Sequence, residues 1–311
     1  MSTSTLETKI TAKIFVVLNG SAGGESEDGF EAKLGALFRA NGVEARILQV
    51  GAEIDLRELL AGNRVGDDAI VVAGGGDGTV NAVAAELVGT GRTFGVLPLG
   101  TLNHFAKDLG IPLDLEGAVR TVVRGRVSAV DVGEVNGRVF VNNSGLGIYP
   151  QVVAGREAEQ ERRGTGKWPA FVRAALGAFR RYPFLRLRVH LEGEERLLKT
   201  AFVFVGNNEY EVNGMNLGKR SCLNSGRLGF YVANRTGRFG LLRLAFRALV
   251  GRLNQARDFE AFCIAEARIE SRKHTLLVST DGEVTRMALP LHYRIRPGAL
   301  RVLVPMENEA G

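Results

Sequence analysis

The sequence predicts an α/β domain with a parallel sheet, followed by a mostly antiparallel, strand-rich domain. Three observations carry this. Strand and helix patterns alternate from Lys13 to Arg124, the arrangement that builds a parallel sheet with helices on both faces. From about Ala129 the chain changes to strand pairs, the first joined by the turn signal Asn136-Gly137. Its 311 residues also exceed what one core usually organises. The expected domains are 1–130 and 131–311, and the last strand, Leu300–Val304, is left open between the second domain and a return to the first.

In order, Lys13–Asn19 is a β-rich run and Gly29–Asn41 has helical spacing through Phe30, Leu34, Leu37 and Phe38. Glu44–Val50 reads as a strand, and a helix runs from Asp55 to Gly62. Ala69–Ala73 is apolar throughout, as suits a strand covered on both faces. A helix over Thr79–Val88, a strand over Thr93–Leu97 and a helix over Leu115–Arg124 complete the first domain. The second is expected to hold strands at Ser128–Val135, Arg138–Asn143, Leu185–Leu191, Leu197–Val205, Leu228–Val232, Phe259–Ile269, Leu276–Ser279, Met287–Arg296 and Leu300–Val304. Helices are expected at about Trp168–Arg181 and Gly240–Leu253.

Composition excludes several classes. Two cysteines, Cys222 and Cys263, form no CxxC pair and supply neither a disulfide scaffold nor a Cys-based zinc site. The four histidines are far apart in sequence, with no metal-binding spacing. The N-terminal run lacks the apolar core of a signal peptide, and no uncharged apolar stretch is long enough to span a bilayer. A cytoplasmic protein is therefore expected. The net charge of +6, carried mainly by arginine, suits anionic partners or a solvated surface.

The chemistry concentrates in loops. The strand Ala69–Ala73 runs into Gly74-Gly75-Gly76-Asp77-Gly78-Thr79 with a helix behind it, an arrangement that turns backbone N–H groups toward phosphate. Neither the dinucleotide fingerprint nor the Walker A loop fits, since Thr79 stands where the former needs glycine and no lysine is present. Asp77 would repel phosphates unless a cation sits between them, which favours Mg²⁺-nucleotide or a hydroxyl substrate; by itself the run is equally a tight turn capped by Asp77. Two further small-residue loops follow strands at the same expected edge, Pro98-Leu99-Gly100-Thr101-Leu102-Asn103 and Asn19-Gly20-Ser21-Ala22-Gly23-Gly24.

These residues resemble the diacylglycerol kinase catalytic-domain superfamily, which includes bacterial soluble lipid kinases and is related to sphingosine and ceramide kinases. The resemblance rests on Gly75-Gly76-Asp77-Gly78-Thr79, Leu97-Pro98-Leu99-Gly100-Thr101-Leu102-Asn103 and Asp281-Gly282-Glu283. Asp131-Val132-Gly133 and Asn142-Asn143-Ser144-Gly145-Leu146-Gly147 support it. It implies a first domain like that of NAD kinases and phosphofructokinases, a β-sandwich-like second domain, and ATP and Mg²⁺ as cofactors. By the resemblance, Asn19, Gly75, Gly76, Asp77, Gly78, Thr79, Gly100, Thr101 and Asn103 would hold the nucleotide. Asp77 would serve Mg²⁺ or orient the acceptor hydroxyl. One of Asp281 and Glu283 would accept the proton; Glu283 is favoured, with Asp281 as its partner, and the reverse is left open. Without the family, Asp281-Gly282-Glu283 reads as an ordinary turn. Two departures stand out: Gly20 replaces a proline, and Ser225-Gly226 replaces an Asp-Gly whose aspartate helps hold a structural Mg²⁺ in the family. Serine is a weak magnesium ligand, so that site is not expected here.

The implied function is transfer of the γ-phosphate of Mg-ATP to a primary hydroxyl of diacylglycerol or a related lipid, within lipid metabolism. Two acid-free stretches suit contact with an anionic membrane face, or equally helices packed on a sheet. One, Ala233–Arg257, carries Arg235, Arg238, Arg243, Arg247, Arg252 and Arg257; the other, Trp168–Arg188, mixes arginines with aromatics. Transient peripheral association with the inner membrane face is the expectation; a homodimer is compatible with it, and no nucleic-acid motif is found. Two alternatives stay open: an NAD kinase-like enzyme, for which Asn208-Glu209 superficially supplies an Asn-Glu pair, and a catalytically silent nucleotide- or lipid-binding regulator.

Overall fold

A computed structural model describes residues 14–19, 27–50, 56–61, 66, 68–148, 150, 184–210, 220, 222–234 and 259–306. The chain forms two compact units, Met1–Ala129 with Leu300–Gly311, and Val130–Ala299. The two expected arginine-rich helices and Gly20–Gly24 lie outside the described residues.

In the first unit, β1 (Ile14–Asn19), β2 (Ala45–Val50), β3 (Ile70–Gly75) and β4 (Thr93–Pro98) form a parallel sheet in the order β4-β3-β1-β2. Val16, Val17, Val71, Val72, Phe94 and Leu97 are buried, which explains the continuous apolar runs of these strands. Helix α1 (Glu27–Ala40) buries Phe30, Leu34 and Phe38 at helical spacing. Beyond it come α2 (Leu56–Ala61), α3 (Asp77–Leu87), α4 (His104–Asp108) and α5 (Leu115–Arg124), the last capped by Asp114, which accepts the Gly117 amide at 2.7 Å. Residues 300–304 lie in this unit, where Arg301 and Val302 pair in parallel with Thr93 and Phe94 of β4.

The chain leaves β1 toward β2 on one side and reaches β3 on the other, so the carboxyl ends of β1 and β3 flank a topological switch point. Two boundaries differ from expectation there. Strand β3 continues to Gly75, and α3 begins at Asp77 rather than Thr79, with Gly76 at the N-cap. An acidic residue in a first helical turn is favoured by the helix dipole. Helix α4 was not expected; five residues are too few to show a period.

The second unit is antiparallel and sandwich-like. Its strands are the second part of β5 (Arg126–Val135), β6 (Arg138–Phe140), β7 (Asn143–Gly147), β8 (Leu185–Leu191), β9 (Glu194–Asn207), β10 (Leu228–Asn234), β11 (Phe259–Ile264), β12 (Glu266–Ser271), β13 (Thr275–Thr280), β14 (Glu283–Ala288) and the first part of β15 (Leu291–Val304). The order is β14-β13-β7-β9-β8-β12-β15, with β10 on β9, β11 on β10 and β6 on β5. Strand β9 pairs with β8 through its first half and with β7 through its second. Val189, Val203, Val205, Phe230, Ile269, Val278, Leu291 and Tyr293 centre one core.

Three expected strands are corrected. Arg138–Asn143 stops at Phe140, because the amides of 141–143 bond to a side chain instead of a strand. Phe259–Ile269 divides at Ala265. Met287–Arg296 is interrupted at Leu289-Pro290, where proline offers no ladder donor, and its second part continues through Val304 as a single strand. Among the described residues, no helix is long and apolar enough to cross a membrane.

Candidate active site

In the first unit, the carboxyl ends of three neighbouring strands bring the expected nucleotide residues together. Asn19 ends β1, and its Nδ2 donates to Thr79 Oγ1 at 3.1 Å. Gly75 ends β3, where a Cβ would sit 2.6 Å from Thr79 Oγ1. The loop after β4 then crosses the glycine turn: Leu99 N donates to Gly75 O at 3.0 Å, and a Cβ on Gly100 would lie 2.5 Å from Gly76 Cα. A side chain at Gly100 would therefore push the two loops apart. By contrast, a Cβ on Gly78 would meet nothing within 4 Å, which leaves open space beside the start of α3.

Asp77 joins the loops electrostatically, with Oδ1 accepting the His104 amide at 2.8 Å. Asn103 locks its own loop. It adopts φ 51°, a left-handed conformation that asparagine tolerates. Its Oδ1 accepts the Gly100 amide at 3.0 Å, and its Nδ2 donates to the carbonyls of Gly100 at 2.8 Å and Pro98 at 3.3 Å. Asn103 thus shapes the loop with a buried amide, while Thr101 stands exposed beside it.

The two C-terminal carboxylates belong to the other unit. Asp281-Gly282, with φ 50° and 91°, forms the two-residue turn between β13 and β14 across the Thr280–Glu283 pair. Asp281 Oδ1 accepts the Asn142 and Asn143 amides at 2.8 and 2.9 Å, and Oδ2 accepts the Val141 amide at 2.7 Å. Desolvation by burial raises its pKa to about 6, even though these amides and Arg220 pull the other way. Glu283 is different: its side chain is 65% exposed and pairs with Arg138. Asp281 therefore shapes a loop, whereas the Glu283 carboxylate lies at the surface.

Replacing Asp281 by alanine should cost about 2–3 kcal/mol of stability, since three backbone donors lose a charged acceptor. The pH dependence has a definite sign. The folded state binds the Asp281 proton more tightly than the unfolded state, so this group's contribution declines as pH rises from about 4 through about 6. The stability gap between wild type and D281A should consequently widen by up to about 3 kcal/mol from pH 7 to pH 4, measured by urea unfolding. A gap independent of pH would contradict the burial of this carboxyl.

Sequence reasoning missed the residue that braces this loop. Arg220 is buried and donates through Nη1 to the Val141 carbonyl at 2.7 Å and the Asn207 carbonyl at 3.1 Å, and through Nη2 to Asn142 Oδ1 at 3.1 Å. Nothing in its local sequence signals this role. Asp131 is tied to backbone too, accepting the amides of Gly226 at 2.6 Å and Gly298 at 2.9 Å.

The family's structural magnesium does not fit the residues present. Ser225 Oγ donates to Asn208 Oδ1 at 2.5 Å, and the Ser225 amide donates to the same oxygen at 2.8 Å. With both Asp131 oxygens also accepting backbone amides, hydrogen bonds close the loop, and no cluster of three acidic, His or Cys side chains suits a metal among the described residues. Chelation with EDTA should leave the unfolding temperature unchanged; a fall reversed by Mg²⁺ would contradict this reading.

The sequence signature of the diacylglycerol kinase catalytic domain matches residues 13–135, and that of the YegS C-terminal NAD kinase beta sandwich-like domain matches residues 149–304. The chain belongs to the diacylglycerol kinase superfamily of lipid kinases. A Pectobacterium atrosepticum protein named "Probable lipid kinase YegS-like" is 31% identical over 181 residues, covering 53% of this chain and 56% of that protein. A Klebsiella pneumoniae protein of the same name is 39% identical over 110 residues, 34% of this chain and 33% of its own length. The alignments thus span about half or less of these curated relatives. The crystal structure of a diacylglycerol kinase from Bacillus anthracis superposes with a TM-score of 0.67 at 20% identity, covering 94% of this chain and 96% of that one. Yeast NADH kinase, solved with NADH, gives 0.53 at 11% identity over 96% and 85%. Both show a shared fold. Membership of this lipid kinase superfamily implies nucleotide use, and the sandwich assignment agrees with the second unit.

Proposed function

We propose that this superfamily member transfers the γ-phosphate of Mg-ATP to a primary hydroxyl of diacylglycerol or a related lipid. The observation that carries the reading is the crossing of two loops at Gly76 and Gly100, with Asp77 fastened to the His104 amide. That junction leaves the first turn of α3, Gly78 and Thr101 to face phosphate oxygens, with the helix dipole favouring negative charge there.

The donor set suits magnesium brought in by the nucleotide. Asp77 keeps one carboxylate oxygen without a hydrogen bond among the described residues. Mg²⁺ usually takes one or two protein carboxylates and fills its remaining positions with phosphate and water. When bound, it would neutralise charge on the transferring group. Asp77 would hold it or orient the acceptor, Glu283 would accept the hydroxyl proton, and Asp281 would keep the turn carrying Glu283 in place. Transient attachment to the inner membrane face through the arginine-rich stretches belongs to the same proposal.

Against the NAD kinase alternative stands Asn208, whose Oδ1 accepts from both the amide and the hydroxyl of Ser225. Calorimetric titration with ATP and Mg²⁺, run beside an incubation with NAD, tests the reading. ATP should bind and NAD should remain unphosphorylated. Absence of ATP binding, or formation of NADP, would overturn it.

A further inference from the structure

Glu283 starts β14 with an exposed side chain, and an exposed glutamate ordinarily samples several rotamers. A proton acceptor in phosphoryl transfer needs a fixed position more than a strong base, because the loose transition state depends chiefly on alignment. Arg138, the first residue of β6, supplies the fixing group. Its Nη2 pairs with Glu283 Oε2, and its Nη1 donates to Thr285 Oγ1 at 2.9 Å. Glu283 and Thr285 are two positions apart on one strand and share a face. The planar guanidinium spans both, which an ammonium group does not do. Glu283 Oε1 accepts no hydrogen bond among the described residues. The carboxylate is thus anchored through one oxygen and presents the other.

We propose that Arg138 is a positioning residue for the transfer, holding Glu283 so that Oε1 faces the acceptor hydroxyl. The inference rests on Glu283 as the proton acceptor and extends it. Glu283 is then fixed at both ends: its backbone by the turn that Asp281 ties to residues 141–143, its side chain by Arg138.

The test uses the full chain with γ-phosphate-labelled ATP, Mg²⁺ and a mixed bacterial lipid extract in detergent micelles, comparing R138A, R138K, T285V, E283Q and the double variant R138A/E283Q. Turnover, KM for ATP and unfolding temperature are read for each. R138A should lower turnover about ten- to a hundredfold with KM for ATP within about twofold of wild type, the pattern of lost alignment. R138K should recover only part of the loss, and T285V, which leaves the ion pair in place, should lose less than R138A. The double variant should be no slower than E283Q, because Arg138 acts through Glu283. Wild-type turnover in R138A beside an inactive E283Q would overturn the inference and leave the base assignment standing. A double variant slower than E283Q by the full R138A factor would overturn it as well. Wild-type turnover in E283Q would remove the base assignment and the inference with it. If R138A fails to fold, R138K and T285V carry the test, and wild-type turnover in both overturns the inference.

Discussion

Replacing Asp77 by alanine should reduce phosphoryl transfer by about a thousandfold, on the scale of removing a preorganised electrostatic contact from a reacting centre. Asp77 does two things that no other residue of the loop pair duplicates. Its Oδ1 holds the His104 amide, and its second oxygen is available to a cation or hydroxyl. The two roles separate by substitution. Asparagine keeps an oxygen for the His104 amide and removes the charge, so D77N should lose nearly as much turnover as D77A but only the helix-dipole part of the stability, about 0.3–1 kcal/mol. D77A should lose about 1–2 kcal/mol, from the amide bond and the favourable helix-dipole contact. Wild-type turnover in D77N would show that Asp77 serves only to tie the loops.

Glu283→Gln should lower turnover by about 10² to 10⁴, the usual contribution of a positioned general base. Little stability should go with it. The Glu283 side chain is 65% exposed and that of Arg138 is 38% exposed, and solvated pairs of this kind contribute about 0–1 kcal/mol. Asp281→Ala should behave in the opposite way, with a marked loss of stability. Steady-state turnover and thermal unfolding on the same samples distinguish the two carboxylates. Equal effects of both substitutions on stability would contradict the separation of roles.

Much of the fold was legible because hydrophobic period and turn chemistry agree along the chain. Phe30, Leu34 and Phe38 mark one helix face, and Leu115–Arg124 has the same bounds in sequence and structure. Strand limits failed where side chains replaced the ladder, as at residues 141–143, whose amides turn to Asp281. In the site, glycine runs after strands were visible because close backbone approach demands them, and Gly76 and Gly100 meet that description. The different fates of Asp281 and Glu283 were not visible. They stand two residues apart, and only the folded turn sends one carboxylate into a nest of amides and the other outward. Arg220 was hidden for a related reason: it bonds to residues 141 and 142, 79 and 78 positions away, and to Asn207 across an intervening segment.

The measurement that bears most directly on the account is incubation of the purified full chain with γ-phosphate-labelled ATP, Mg²⁺ and extracted bacterial lipids, followed by chromatography of the lipid phase. The account predicts label in a lipid, as a phosphomonoester, and none when Asp77 is alanine. Bound ATP with no label in any lipid would contradict it and leave a soluble acceptor or a silent regulator in its place.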